Sequence, residues 1–359
     1  MTTIKPIAGA SAGEASHLTI QPFISTEVLT ALRNGSGNLE LIGWHIESDK
    51  IVRGADSGTQ AGTAQEVALT LMARARHAIT AVRSGSGRLL LISWDVPFGL
   101  KTIRRLADTG SAAGEASQIA MTALGTAMLV TALRAGNGNL LLISWGLASD
   151  GTMTRLGDSN PAGQPPQAGE VSLVTIAPLG SNTVVTAVRN GRGNLELIAW
   201  NVSSDGKHIR RQGDSGNQAG AVGEIAIYPT RDDLAGPGVL TAVRNGSGNL
   251  ELIPWKVLDG GLGGVVRTGK GIEAGTASHI AISPAGTPPT YVASMRRGSG
   301  DIELIAFQLG GNGAIARTGD FGQREGTDVT ETAIASLGGP AVTATRQANF
   351  LNVITWSVT

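Results

Sequence analysis

The sequence predicts an all-β protein in which one small antiparallel sheet is repeated seven times around a ring. Three observations predict it. The first is a repeat: VLTALRNGSGNLELIGW, from Val28 to Trp44, has close copies ending at Trp94, Trp145, Trp200 and Trp255. A sixth copy ends at Phe307, and a worn seventh, AVTATRQANFLNVITW, ends at Trp356. Arg33, Arg83, Arg134, Arg189, Arg244, Arg296 and Arg346 mark its period of about 50 to 55 residues, the size of one supersecondary unit in a ring or an array. The second is glycine, 51 of 359 residues, about twice the usual share of roughly 7%, without the period of three that collagen needs. The third is that the last repeat lacks its final strand, while Thr3-Ile4-Lys5-Pro6-Ile7-Ala8 looks like one.

Each unit reads as four strands, A to D from the inside out. Strand A is a short apolar run such as His17-Leu18-Thr19-Ile20 or Glu66-Val67-Ala68-Leu69. Strands B and C flank a glycine turn such as Asn34-Gly35-Ser36-Gly37, a hairpin signal because glycine accepts positive φ. Strand D is a basic β-branched run: Ile51-Val52-Arg53, Ile209-Arg210-Arg211, Val265-Val266-Arg267. Residues 64–83 and 118–134 are rich in Ala, Leu and Met and could pass for helices on propensity. The register of the repeat overrides this, since the same positions elsewhere are short Val, Thr and Ile runs. Apolar residues on both faces of strands B and C, among them Leu39, Leu41 and Ile42, imply sheets covered on both sides.

An open stack of sheets needs polar caps, and none is visible. A closed ring needs only a latch, which residues 3–8 supply as the outermost strand of the last unit. Pro6 is tolerable on such an edge. The chain thus resembles the seven-bladed β-propeller superfamily over essentially its whole length, without matching the tryptophan–aspartate or kelch repeats. The resemblance implies one domain, residues 1–359. Its blades fall at about 12–56, 61–108, 113–158, 168–214, 220–269, 274–319 and 326–359 with 3–8.

Composition excludes several classes of function. Lys+Arg and Asp+Glu are 28 each, which argues against a nucleic-acid binder working through a basic field. Cysteine is absent, so disulfides, thiol nucleophiles and cysteine-ligated metals are excluded. There is no phosphate-binding glycine loop opening a helix, no HExxH and no GxSxG elbow. No apolar run suggests a signal peptide or a membrane span, so the expectation is a cytoplasmic protein, or a secreted one without a visible signal.

The recurring residues divide into candidates for structure and for ligand contact. The seven arginines end strand B, while Asp56, Asp108, Asp158, Asp214 and Asp320 end strand D on the same face; they are expected to meet and pin loops. Glu40, Glu196, Glu251 and Glu303 stand across the hairpin and could share the arginine. Trp44, Trp94, Trp145, Trp200, Trp255 and Trp356 are expected to wedge between blades, the alternative being stacking platforms for sugar rings. The arginines of strand D read as edge protection. His45, His77 and His208 share no repeat position and are expected to be solvated.

Where the units differ, at the first residue of strand A, stand His17, Glu66, Gln118, Leu173, Glu224, His279 and Glu331 (or Thr330). This ring lies at the mouth of the central channel. His17, His279, Glu66 and Glu331 could hold a divalent metal or act as acid and base, or the mouth could simply be wet. Two readings of function follow. One is a binding module, lectin-like, for a carbohydrate or small polar ligand, or a platform for a protein partner. The alternative is an enzyme with a single His/Glu site at the channel mouth, a hydrolase, lyase or isomerase.

Overall fold

The computed structural model describes residues 1–72, 76–110, 113–161, 163–230, 236–258, 264–322 and 328–359. Among these, regular structure is entirely strand and turn. The second unit is a four-stranded antiparallel sheet of Ala64–Met72, His77–Ser84, Leu89–Asp95 and Arg104–Asp108. The third and fourth units repeat it from Ala116–Leu124 to Met153–Asp158 and from Val171–Pro178 to Ile209–Asp214. The helix-prone stretches are therefore strands; residues 73–75 lie outside the described ones, as does position 326, where the seventh unit is expected to begin.

Two long bent strands join the remaining units in pairs. Ile272–Pro284 first lies beside Asn249–Val257 of the fifth unit and then becomes the inner strand of the sixth, beside Thr290–Arg297. Ile4–Ile24 does the same for the seventh and first units. Its first half pairs with Phe350–Val358, Ile4 opposite Val358 and Pro6 opposite Trp356, and its second half pairs with Glu27–Asn34. The innermost strands touch one another in order from the first unit to the seventh, and the seventh touches the first. The fold is a β-propeller.

Among the described residues the core falls into seven clusters, each shared by two neighbouring units. Leu29, Leu41, Leu69 and Trp94 share the cluster of units one and two. Val28, Trp44, Val342 and Val353 share that of units seven and one. This is why strands B and C are apolar on both faces: each face meets a different neighbour. The six tryptophans are fully buried in these seams, as the wedge reading expects, and none is a surface platform. Each indole N–H donates to a buried threonine of strand B, from Trp44 to Thr30 at 3.0 Å, Trp145 to Thr131 at 3.1 Å and Trp356 to Thr343 at 2.9 Å. In the sixth unit, where Phe307 replaces tryptophan, Ala293 stands at the threonine position, so donor and acceptor are lost together; the hydroxyl of Ser294, one residue on, meets that of Thr332 at 2.9 Å.

Backbone hydrogen bonds stitch each hairpin turn to the segment leading into the next unit. Leu39 donates to the carbonyl of Gly62 at 3.0 Å and Ala64 to that of Gly37 at 3.1 Å; Leu140 and Val171 repeat the pattern with Gly169 and Gly138 at 3.0 Å each. The B–C turns and D–A loops therefore share one face, and this is where the clefts lie.

Candidate functional site

Two places on the molecule gather polar side chains: the channel mouth and the stitched face. At the mouth, His17, Gln118 and His279 have φ of +52°, +53° and +52°, a left-handed conformation uncommon for these residues. Each sits in a bulge where strand A slips against strand B. The bulge turns the following N–H toward the preceding unit, and a glutamate there accepts it. Leu18 donates to Glu331 at 3.0 Å, Ile119 to Glu66 at 3.1 Å and Ile280 to Glu224 at 3.2 Å.

Three carboxylates of the expected ring are thus clasps between blades. Glu331 also lies 3.6 Å from Arg346. Leu173, in the fourth unit, has no polar group to offer. Among the described residues no group of three or more His, Asp or Glu is placed to hold a metal ion. His17, His279, Glu66 and Glu331 are not brought together as a ligand set, because the bulges separate the histidines from carboxylates that are turned to backbone amides. His17 and His279 remain exposed.

The charge pairs differ from expectation too. The aspartates that end strand D pair with the strand-D arginine three residues earlier, not with the arginine of strand B. Arg53 reaches Asp56 at 3.0 Å, Arg155 reaches Asp158 at 2.7 Å, Arg211 reaches Asp214 at 2.6 Å, and Arg105 and Asp108 are likewise joined. Glu40, Glu196 and Glu251 bind the same strand-D arginines, Arg53, Arg211 and Arg267, at 3.0 to 3.1 Å. The reason is distance along the pleat: the strand-D guanidinium lies on the carboxylate's own side, while the strand-B arginine curls over its turn. His77 is buried rather than solvated, and His45 is half-buried with Nδ1 3.2 Å from Glu27 Oε1. His208 is exposed as expected.

The strand-B arginines are consequently released to the stitched face. The side chains of Arg33, Arg189 and Arg244 make no hydrogen bond or ion pair among the described residues. Each packs its guanidinium against the last glycine of its own turn: a Cβ on Gly37 would lie 3.1 Å from Arg33 Nη2. On the same face stands a second set of charges that the sequence reading passed over, Glu14, Glu115 and Glu170, each on the segment leading into strand A; Glu170 shares a cleft with Arg189, and Glu115 with Arg83 and Arg134. Their only signal is a Gly-Glu pair before units one, three and four. Each carboxylate nestles against its own unit's turn: a Cβ on Gly136 would meet Glu115 Oε2 at 2.8 Å. The first glycine of the turn is therefore small to admit a carboxylate, while the second takes the positive φ.

Between these charges open clefts. Arg83, Glu115 and Arg134 border one of about 270 Å³ between units two and three. Arg134, Glu170, Ser172 and Arg189 border one of about 430 Å³ between units three and four. Glu170, Asn190, Arg192 and Glu196 border a third of about 400 Å³, and its counterpart in unit one, with Glu14, Asn34 and Glu40, is about 520 Å³. A guanidinium facing a carboxylate across a few hundred Å³ can donate to and accept from neighbouring hydroxyls, or hold an oxyanion. No aromatic ring lines these four clefts.

A further glutamine set, unforeseen, locks the outer rim. Gln60 donates to the Ile103 carbonyl at 3.0 Å and accepts from the Arg105 N–H at 2.8 Å; Gln167 does the same with Ile209 and Arg211. The recurring Gln-Ala-Gly before units two, four and five is its trace in the sequence.

No protein-family model and no curated protein sequence matches the chain. Solved structures do resemble it. SapL1 lectin in complex with alpha methyl fucoside shares 12% identity at a TM-score of 0.53, over 86% of this chain and 96% of that one. An arginine-to-alanine triple mutant of AofleA from Arthrobotrys oligospora shares 12% at 0.55, over 90% and 92%. A candidate 6-phosphogluconolactonase from Bacteroides fragilis shares 13% at 0.59, over 89% and 88%. At such identities the likeness is one of fold.

Proposed function

We propose that this β-propeller is a binding protein for hydroxyl-rich ligands of the carbohydrate class, taken up in the clefts of its stitched face. One observation carries the reading: the unengaged guanidinium of Arg189 and the carboxylate of Glu170 border one cleft, and carboxylates at the position of Glu170, Glu14 and Glu115, border clefts of other units. Vicinal hydroxyls donate to a carboxylate and accept from a guanidinium at once, so this pairing suits a sugar edge. A lectin among the similar folds supports the class of ligand. The repetition supports several sites and hence avidity on a multivalent surface. The lack of an aromatic floor in the clefts makes each site dependent on hydrogen bonds alone.

Titration calorimetry with a panel of neutral and acidic saccharides tests this. Saturable binding that Arg189→Ala and Glu170→Ala each weaken at least tenfold is expected; absence of saturable binding across the panel overturns the reading. The alternative, an enzyme at the channel mouth, is supported by the exposed His17 and His279 in left-handed backbone, a strained setting that recurs at active sites. It predicts a hydrolytic or lyase activity that disappears in the double variant His17→Ala with His279→Ala while saccharide binding survives.

A further inference from the structure

The clefts of units two, three and four are not separate. The 270 Å³ and 430 Å³ clefts share Ser117 and Arg134, and the 430 Å³ and 400 Å³ clefts share Glu170 and Asn190. Together they form a continuous groove that crosses three blades along one arc of the face. The unit-one cleft shares no residue with them.

The arc is also charged unlike the rest of the face. Its strand-B arginines are Arg83, Arg134 and Arg189, and its turns add the exposed Arg88 and Arg192. The positions equivalent to Arg88 in units one, three, four and five hold Asn38, Asn139, Asn194 and Asn249, and in unit six Asp301. The positions equivalent to Arg192 hold Ser36, Ser86, Asn137, Ser247 and Ser299. Against these five cations the arc sets Glu115 and Glu170, since Glu196 is already held by Arg211. On the far side the cations are paired: Arg296 is held by Asp328 at 3.1 Å, and Glu303 lies between Arg297 and Arg317. A chain with no net charge has thus concentrated positive charge along one groove.

We infer that this groove takes one acidic oligosaccharide lengthwise, its carboxylate or sulfate groups on the arginines and its hydroxyls on Glu115 and Glu170. The inference rests on the carbohydrate reading above and goes beyond it in ligand charge, length and stoichiometry. Guanidinium forks match a planar carboxylate or a tetrahedral sulfate by paired hydrogen bonds. The alternation of Arg83, Glu115, Arg134, Glu170 and Arg189 along the groove suits a polymer whose acidic and hydroxyl edges alternate. Arg134 is the hinge of the groove. Its Nε donates to the Val171 carbonyl at 2.9 Å across the blade seam, which leaves its terminal nitrogens to both clefts.

The test is calorimetry of the whole protein with a tetragalacturonate, a sulfated tetrasaccharide, a neutral tetrasaccharide, and a short single-stranded DNA of the same charge as the first. One acidic tetrasaccharide per protein, held at least tenfold more tightly than the neutral one and weakened by added salt, is expected; whether carboxylate or sulfate is preferred identifies the natural acid group. Arg189→Gln, which breaks no bond of the fold, should weaken it at least tenfold. Arg244→Gln, the same repeat position outside the groove, should leave it unchanged. Equal binding of neutral and acidic sugars, several equivalent sites, or equal losses in Arg189→Gln and Arg244→Gln overturn the groove while leaving carbohydrate binding standing. DNA binding as tight as the acidic sugar overturns the sugar assignment, and no binding of any saccharide overturns both readings.

Discussion

At Trp145 the whole of one blade's wedge depends on a single polar atom. The indole is fully buried, and its N–H finds the Thr131 hydroxyl, which in turn donates to the Ile143 carbonyl. Trp145→Phe removes the donor and leaves a small void, so urea unfolding should report a loss of about 1–3 kcal/mol. The sixth unit shows that the fold tolerates phenylalanine where the hydroxyl is absent too, since Ala293 stands at the threonine position. Thr131→Ala added to Trp145→Phe, which reproduces the pair of the sixth unit, should therefore recover part of that loss. Glu303 is the residue where pH acts. Burial pushes its carboxyl above the ordinary value of 4.5, and Arg297 and Arg317 offset this only in part. The folded state thus holds the proton more readily than the unfolded chain. Its contribution to stability is fully present below about pH 4.5 and is lost as pH rises through the raised value. Glu303→Gln should then be at least as stable as the parent at pH 7 and show a flatter stability profile from pH 4.5 upward. A variant much weaker at pH 7 than at pH 4 would show that the two arginines dominate after all.

At the scale of the element, the hairpin turn does two jobs with two glycines. Gly138 has φ of +87°, and a Cβ there would sit 3.4 Å from Arg134 Nη2 and 3.7 Å from Glu170 Oε1. Gly138→Ala should cost about 1–2 kcal/mol for the left-handed backbone and narrow the central cleft, lowering saccharide affinity as well. Gly114→Ala, with nothing within 4 Å and no positive φ, should do neither. Denaturant titration of the pair separates the two effects. The strands, turns and wedge tryptophans were legible because a repeat averages local ambiguity away: Ala-rich residues 118–134 are read through their Val- and Thr-rich counterparts. The threonine partner was legible as well, since it changes together with tryptophan in the sixth unit. The glutamate clasps were not. Glu66 reaches an amide of Ile119 that is exposed only because Gln118 bulges, and a bulge on a neighbouring sheet leaves no mark at residue 66. The strand-D arginines were legible as cations but not as partners of Asp56 or Glu40, because pleat side depends on a register shift within strand D.

For the molecule as a whole, the seventh unit has a different covalent character from the others. Everywhere else the outer strand of a unit follows its own strand C in sequence; here it comes from the opposite end of the chain. Ile4 is buried against Trp356, Val358 and Val292, Thr3 donates to the Thr359 carbonyl at 2.6 Å, and Thr2 donates to the Thr318 carbonyl at 2.8 Å. Removing residues 2–8 deletes one buried isoleucine and the ladder of backbone bonds to residues 355–358, and it leaves that stretch as a bare edge. An unpaired edge strand is a template for another chain. The unfolding midpoint should fall by about 10 °C, and size-exclusion chromatography should show dimers or larger species that the full chain does not form. A synthetic peptide of residues 1–12, added in excess, should restore the midpoint by occupying the vacant edge, with a gain that grows with peptide concentration as mass action requires. If the shortened chain keeps its midpoint and stays monomeric, the strand of residues 4–11 is not holding the ring, and the seven cores must be held by the inner strands alone.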